Sequence, residues 1–535
     1  MADKTILTQI KTLSYRIACL RKDFLAAVGV GPTVNLANTV FVDPNGNDTA
    51  AIKGDIKRPW LTFDAAHLPM LSGDTMEMFT GDYTVDINAQ IKSENKTFEL
   101  GESQLTSSVV GDAFTITGNS KFKINAKVLT LNQDDVSATF INAASYIAGS
   151  SIDVTSDEVN AVALGVTTWG RTILIAASVD DLNVDLKKVR YWGQGLIDVK
   201  STRSNITIGH VTIVDNGGVD GGRFDEGIVT LRNSAVGGGI IGQHIVNIGT
   251  FVNERADEEK GSCVTISGDT MNAVVNIGNY ISSADRTGIK AAAYNSVFSF
   301  YEYAMSFPAA TGDNIHLSYN IDNVVGEHLY SARRGGTNLT EIYTIKQAIV
   351  DVPLYVKNLV GAGTNLSTNF NSYLNFDHVQ VTNRPVVLIK SDNMSNSSCY
   401  IKGGTWVVTT DYGIYINQYE MAAGSTLVID IGTLQSADQA IYLSNFTVGA
   451  GCKVVIKGRY ESTVANSSVI HIQGGTWTGD LILDDCTLIN DGGGAAVSSS
   501  IAINVVVHSS QTNSLIVDAN VTELVDALTK DVNVK

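Results

Sequence analysis

The sequence predicts an all-β solenoid, a parallel β-helix with small caps at its ends. Three observations lead there. Gly is frequent at 49 residues, Pro is scarce at 7, and only 17% of residues are charged, a turn-rich β composition. Short apolar–x–apolar triplets alternate at period two, as half-buried strands do. The stretch "GIYINQYEMAAGSTLVIDIGTL" from Gly413 is nearly rewritten as "AIYLSNFTVGAGCKVVIKGRY" from Ala440, 27 residues on.

The repeat extends in two series. Val387, Ile414, Ile441 and Ile470 lie 27, 27 and 29 residues apart, and each is followed two positions later by another apolar residue. Cys399, Leu427, Val454 and Leu481 lie 28, 27 and 27 apart in the same way. Two strands per repeat at constant offset describe a coil that returns to the same place. No coil can bury its apolar face alone, so its neighbour must present the same face. Upstream, "NITIGHVTI", "HIVNIGTFV" and "AVVNIGNYI" align Ile208, Ile248 and Ile277 at spacings of 40 and 29, and Ile321 follows 44 later. The long intervals predict outward insertions, one around "VDNGGVDGGRFDEG" and one within 283–315. The solenoid is expected over 85–515 with roughly 14 turns, right-handed as parallel crossovers are.

Composition narrows the function. The 535 residues exceed one ordinary core, and 44% hydrophobic content with mean hydropathy +0.09 indicates a folded chain. The charge, 37 − 54 = −17, argues against nucleic-acid partners and anionic membranes. No apolar run reaches a membrane-spanning length, so no membrane insertion is expected. Cys19, Cys263, Cys399, Cys452 and Cys486 form no C-x-x-C pair and read as apolar fillers. Charges interrupt the apolar runs of "MADKTILTQIKTLSYRIACLRKDF", so no signal peptide is expected there, and synthesis in a reducing cytoplasm follows.

Solenoid ends expose interior and need covers. Residues 31–84 are expected to hold a linker and an N-terminal cap: a strand, a polar loop, a short helix after Pro59, then a first regular turn. Residues 516–535 are expected to form a closing helix, with Asn520 and Glu523 as a capping box and Val521, Leu524, Val525 and Leu528 on one face. The order "VFVDPNGND…G…RPWLTFDAA…SGDT…GDYT" resembles the first coil of the pectate-lyase-like β-helix superfamily. That superfamily includes polysaccharide lyases, glycoside hydrolases and bacteriophage tailspikes.

Residues 1–30 carry a different pattern. Ile6, Ile10, Leu13, Ile17, Leu20, Phe24 and Ala27 follow a 4-3-4-3-4-3 spacing, a heptad seam. It fits a self-associating, virion-attaching helix, or an amphipathic helix packed on its own solenoid. Ile at a with Leu at d favours a dimer, whereas the tailspike resemblance implies a homotrimer. Many tailspikes carry a β-rich trimer-forming domain after the solenoid, whereas little beyond the closing helix is expected after about 515 here.

Candidate chemistry falls in the insertions. Cleavage of a glycoside uses two carboxylates across one groove, and Asp220, Asp225 and Glu226 lie in the first insertion. "FDEGIVTL" resembles the Asp-Asp-Gly-Ile strand start of pectin-cleaving β-helices, but the Gly-His-Gly and Asn-Thr-Asp motifs are missing. Asp285 beside Arg286 is a second acid candidate. All four acids read equally as solvated turn carboxylates. "YNSVFSFYEYAMSF" concentrates aromatics: Phe298 and Phe300 alternate as inward residues, leaving Tyr301 and Tyr303 outward to stack on sugars. Arg333 and Arg334 suit an acidic sugar carboxylate, or offset local charge. Neither the eight histidines nor the Gly runs match a metal or phosphate motif, so no metal or cofactor is expected.

Together the helix, the long solenoid and the resemblance imply a bacteriophage spike on the virion surface, bound to other virion proteins through its N-terminus and recognising host polysaccharide. Whether it cuts that polysaccharide stays open. A structural or decorating fibre, and a polysaccharide-cleaving enzyme off the virion, are the alternatives.

Overall fold

A computed structural model describes residues 36–525, except Val110, 132–138, 163–172, 193–195, 215–226, 233–241, 255–261, 268–270, 283–304, 307–314, 327–329, 333–337, 351–353, 359–365, Ala423, Asn466, Gly492, 509–510 and 513–519. The heptad residues Ile6, Ile10, Leu13, Ile17, Leu20 and Phe24 lie outside it.

The chain winds as a parallel β-helix with three faces. Among the described residues eighteen strands stack in chain order on the first face, from Thr39–Val42 and Asp74–Met78 to Ile503–His508 and Val521–Val525. Fifteen of them, from Asn95–Glu99 to Ile503–His508, fall within 85–515, close to the roughly 14 turns expected there. The second face continues the same strands past a corner: Ile208 pairs with Ile248 and His210 with Thr250, while Gly209 and Gly249 turn between them. The third face runs from Ala89–Lys92 and Asp112–Thr117 through Gly227–Arg232 and Ser262–Ser267 to Val497–Ser499. Every named pairing is parallel, since each strand meets its counterpart one coil on.

The sequence series are the stacking registers. Ile208, Ile248, Ile277, Ile321 and Ile345 form one column. Val387, Ile414, Ile441, Ile470 and Val497 form another, and Cys399, Leu427, Val454 and Leu481 a third. Alternation decides which side is inward: in Asn371–Val381 and Thr426–Ser436 every second residue of the first-face half is buried. Cys263, Cys399, Cys452 and Cys486 are buried free thiols, as fillers of the interior would be.

Outside, opposite charges stack coil on coil. Glu99 pairs with Lys123 at 2.7 Å, Glu102 with Lys127 at 2.9 Å, Asp322 with Lys346 at 2.6 Å and Asp484 with Lys457 at 2.5 Å. Such exposed pairs add little stability each. They join neighbouring coils across the outer surface.

The N-terminal cap matches expectation. Thr62 caps the helix Phe63–His67, its hydroxyl accepting from Ala65 N at 3.3 Å. The helix drives Phe63 into the open end of the coil, 5.7 Å from both Phe98 and Phe114. Beside it the buried His67 stacks on Phe63 at 6.2 Å and 4°. Burial, with Lys96 nearby, pushes the His67 pKa down to about 4.

The C-terminal end corrects the sequence expectation. Val521–Val525 is not the start of a helix; it is a strand pairing in parallel with Ile503–His508. Asn520 makes no capping box, and its Nδ2 donates to Ser499 O at 2.8 Å. The preceding coil offers an unpaired row of N–H and C=O groups, and pairing them outweighs the helical propensity of "TELVDAL". Residues 526–535 lie outside the description.

Two outcomes follow. Ile441→Ala, which empties a fully buried column position, should cost about 2–5 kcal/mol in urea unfolding. The neutral His67 gives the second. Its folded pKa lies below the unfolded value of 6.5, so the unfolded chain takes up the proton first, and stability is lost as pH falls from 6.5 toward 4. Unfolding at pH 7.5 and pH 4.5 should show His67→Phe losing less stability than the parent, by on the order of 2 kcal/mol.

Candidate functional site

Five consecutive coils, 181–322, carry two adjoining depressions on the outer side of the first face. One, of about 420 Å³, lies at the corner between first and second faces and is lined by Gly209, Gly249, Gly278, Asn247, Asn276 and Asn320, with Asp322 at its end. The other, of about 400 Å³, is lined by Asn205, Gln243, Ile245, Asn272, Val274 and His316, with Asp181 and Arg203 at its edge. On the strands Arg203–Ile213, Gly242–Asn253 and Met271–Ser282 a single residue separates the two, so they form one groove. Spanning four to five coils at about 4.8 Å each, it is about 14–19 Å long.

Glycine makes the corner. A Cβ at Gly249 would lie 2.4 Å from Gly209 O, and one at Gly278 would lie 2.4 Å from Gly249 O. The coils approach so closely here that no side chain fits, which leaves bare backbone as the floor. One coil further, Asp322 occupies the corner position, and its pair with Lys346 closes that end.

Two polar ladders flank the glycines. Asn276 Nδ2 donates to Asn247 Oδ1 at 2.8 Å, and Asn320 Nδ2 to Asn276 Oδ1 at 2.9 Å. On the other flank Asn323 Nδ2 donates to Asn279 Oδ1 at 3.0 Å, and Asn279 Nδ2 to Thr250 Oγ1 at 3.4 Å. Asn276 and Asn279, in the middle of their ladders, each spend one donor and one acceptor on their neighbours and keep one of each. A vicinal pair of hydroxyls has that complement. Asn205, Gln243 and Asn272 make no side-chain hydrogen bond among the described residues.

Other asparagine ladders have a purely structural cause. Asn338, Asn369 and Asn396 hold φ of 58°, 55° and 49° at a turn, where Asn tolerates the left-handed region, and their amides stack at 2.9 and 2.6 Å. Asn247, Asn276 and Asn320 lie in extended strand, and the same register holds Thr207 before them and Thr344 after. Their backbone does not require Asn.

Below the groove, Ser204 Oγ and the buried His244 Nδ1 share a hydrogen bond of 2.9 Å, and burial pushes the His244 pKa down to about 4. The site is thus underlaid by a neutral imidazole.

A second feature lies on the third face. Tyr415, Tyr442 and His471 stack at 5.1 and 5.3 Å, with Tyr412 4.7 Å from Tyr442. Beside them Asp411 is half-buried. Burial holds its carboxyl above the usual range, against the Tyr412 N–H bond and Arg384, and Asp438 adds to the rise. Asp438 accepts from Ser467 Oγ at 3.0 Å.

The sequence candidates Asp220, Asp225, Glu226, Asp285, Tyr301, Tyr303, Arg333 and Arg334 all lie outside the described residues. Sequence reading missed the groove and the tyrosine stack, though signals for both were there: Ile-Gly followed by Thr or Asn at 248, 277 and their neighbours, and Tyr415 and Tyr442 at the same place in the repeat. Among the described residues no three His, Cys, Asp or Glu gather as a metal site, and no helix is long and apolar enough to cross a membrane. Compared with profiles of known families, with curated proteins and with solved structures, the chain matches none.

Gly249→Val should cost about 1–3 kcal/mol in urea unfolding, from overlap with Gly209 O. Asn276→Ala should cost about 1 kcal/mol or less, since it removes only surface hydrogen bonds.

Proposed function

We propose that this chain is a bacteriophage spike that recognises a host-surface polysaccharide through the groove on its first face. The observation that carries the reading is the pairing of a glycine floor with stacked amides that retain unspent donors and acceptors. Carbohydrate hydroxyls need many such groups at fixed positions, and a β-helix holds them rigidly. The virion location, the homotrimer through Ile6–Phe24 and the attachment to other virion proteins rest on the heptad seam and the tailspike resemblance. A smooth structural fibre has no use for a groove of this kind.

A second reading, cleavage of the bound glycan, has one observation in its favour: the raised carboxyl of Asp411 beside Tyr412 and Tyr442. A carboxyl whose pKa is raised by burial is a step toward what a general acid requires.

The test is binding of the purified protein to surface polysaccharides from a panel of bacteria. Replacing Asn247, Asn276 and Asn320 together by Ala should weaken binding about tenfold or more while leaving the melting transition in place. Full binding by that variant would overturn the assignment of the groove. New reducing ends that vanish in Asp411→Asn would establish the second reading, and ultraviolet absorbance of unsaturated products would indicate a lyase instead.

A further inference from the structure

We infer that the groove takes a neutral glycan whose sugars carry methyl groups and that it rejects polyanionic glycans. This rests on the glycan reading above and specifies its ligand.

The first observation is electrostatic. The cation lining the groove, Arg203, is held by Asp181 in a two-point pair, Nε–Oδ1 at 2.5 Å and Nη2–Oδ2 at 2.8 Å. At the far end Lys346 is held by Asp322. Asp181 and Asp322 themselves line the groove, so a uronate or sialate approaching either pair would meet a cation already neutralised and a carboxylate beside it. The whole chain adds long-range repulsion, at −17. What remains for recognition is uncharged: Asn205, Gln243, Asn272 and the Asn247–Asn276–Asn320 ladder.

The second observation is apolar. Ile245 and Val274 pair directly across neighbouring coils and are 45% and 37% exposed in the middle of the second depression. In their own register Asn205 precedes them and Ser318 follows. Two branched side chains ringed by free amides form a small apolar spot inside a polar site. Plain hexose hydroxyls gain nothing from it. A methyl group does, and one methyl in such a pocket discriminates by about tenfold or more. The methyl can come from C6 of a 6-deoxyhexose or from the acetyl of an N-acetylhexosamine. In the second case Asn205, Gln243 and Asn272 are placed to bond the acetamido N–H and C=O as well.

The experiment titrates the full chain with four soluble probes: an N-acetylhexosamine oligosaccharide, a neutral 6-deoxyhexose polysaccharide, a plain glucan and a polyuronate. Binding is expected for one or both methyl-bearing probes, and which one binds identifies the source of the methyl. The glucan and polyuronate should bind at least about tenfold more weakly. Affinity should not change between low and roughly 0.5 M salt. Ile245→Asn combined with Val274→Asn should lower affinity for the methyl-bearing probe about tenfold and leave glucan binding unchanged. Preference for polyuronate, weakened by salt and abolished by the triple Asn→Ala variant, would overturn this inference and keep the groove. Glucan bound as well as the methyl-bearing probes would also overturn it. Binding to none of the four, or binding indifferent to the triple variant, would remove the glycan reading of the groove along with it.

Discussion

The structure depends on one constraint: each coil's inward apolar residues are covered by the coils on either side of it. Ile277 is buried between Ile248 and Ile321, and Ile441 between Ile414 and Ile470. The columns fix the register, the register fixes which residues face out together, and outward stacking builds the surface. At the two ends the constraint lacks a neighbour. The chain answers with Phe63 on a short helix at one end and with a further strand, Val521–Val525, near the other.

Function is written in what the constraint leaves free. Inward positions are committed to packing, and left-handed turn positions such as Asn369 are committed to backbone geometry. Outward strand positions are committed to neither. Elsewhere some of them hold charge pairs such as Glu99–Lys123 and Lys457–Asp484. Across the coils from 181 to 322 they hold amides, two aliphatic side chains and a glycine corner. That patch is where the proposed glycan site is assigned.

The fold was legible because its determinants are periodic. The series through Ile414 and Leu427 is a direct image of the columns, and even the irregular spacings around Ile208 and Ile248 gave the right partners. The number of coils was legible too, with roughly 14 expected over 85–515 against fifteen first-face strands described there. The last element was misjudged because helical propensity is local, whereas the unpaired edge of Ile503–His508 is tertiary. The groove was hidden for a related reason. Its polar ladders join residues 29 and 44 apart, and an Asn on one strand says nothing until its neighbour's register is known. Attention to long insertions led to Asp225, Asp285 and Tyr301, whereas the groove lies on the strands between the insertions.

The central claim is that bound glycan lies over the glycine corner. The most direct measurement is a crystal structure of the protein soaked with oligosaccharide fragments of a surface polysaccharide that it binds. The account predicts sugar density across Gly209, Gly249 and Gly278, with hydroxyls on Asn247, Asn276 and Asn320. Density confined to another surface, such as the Tyr412–Tyr442 stack, with the groove holding only water, would contradict it.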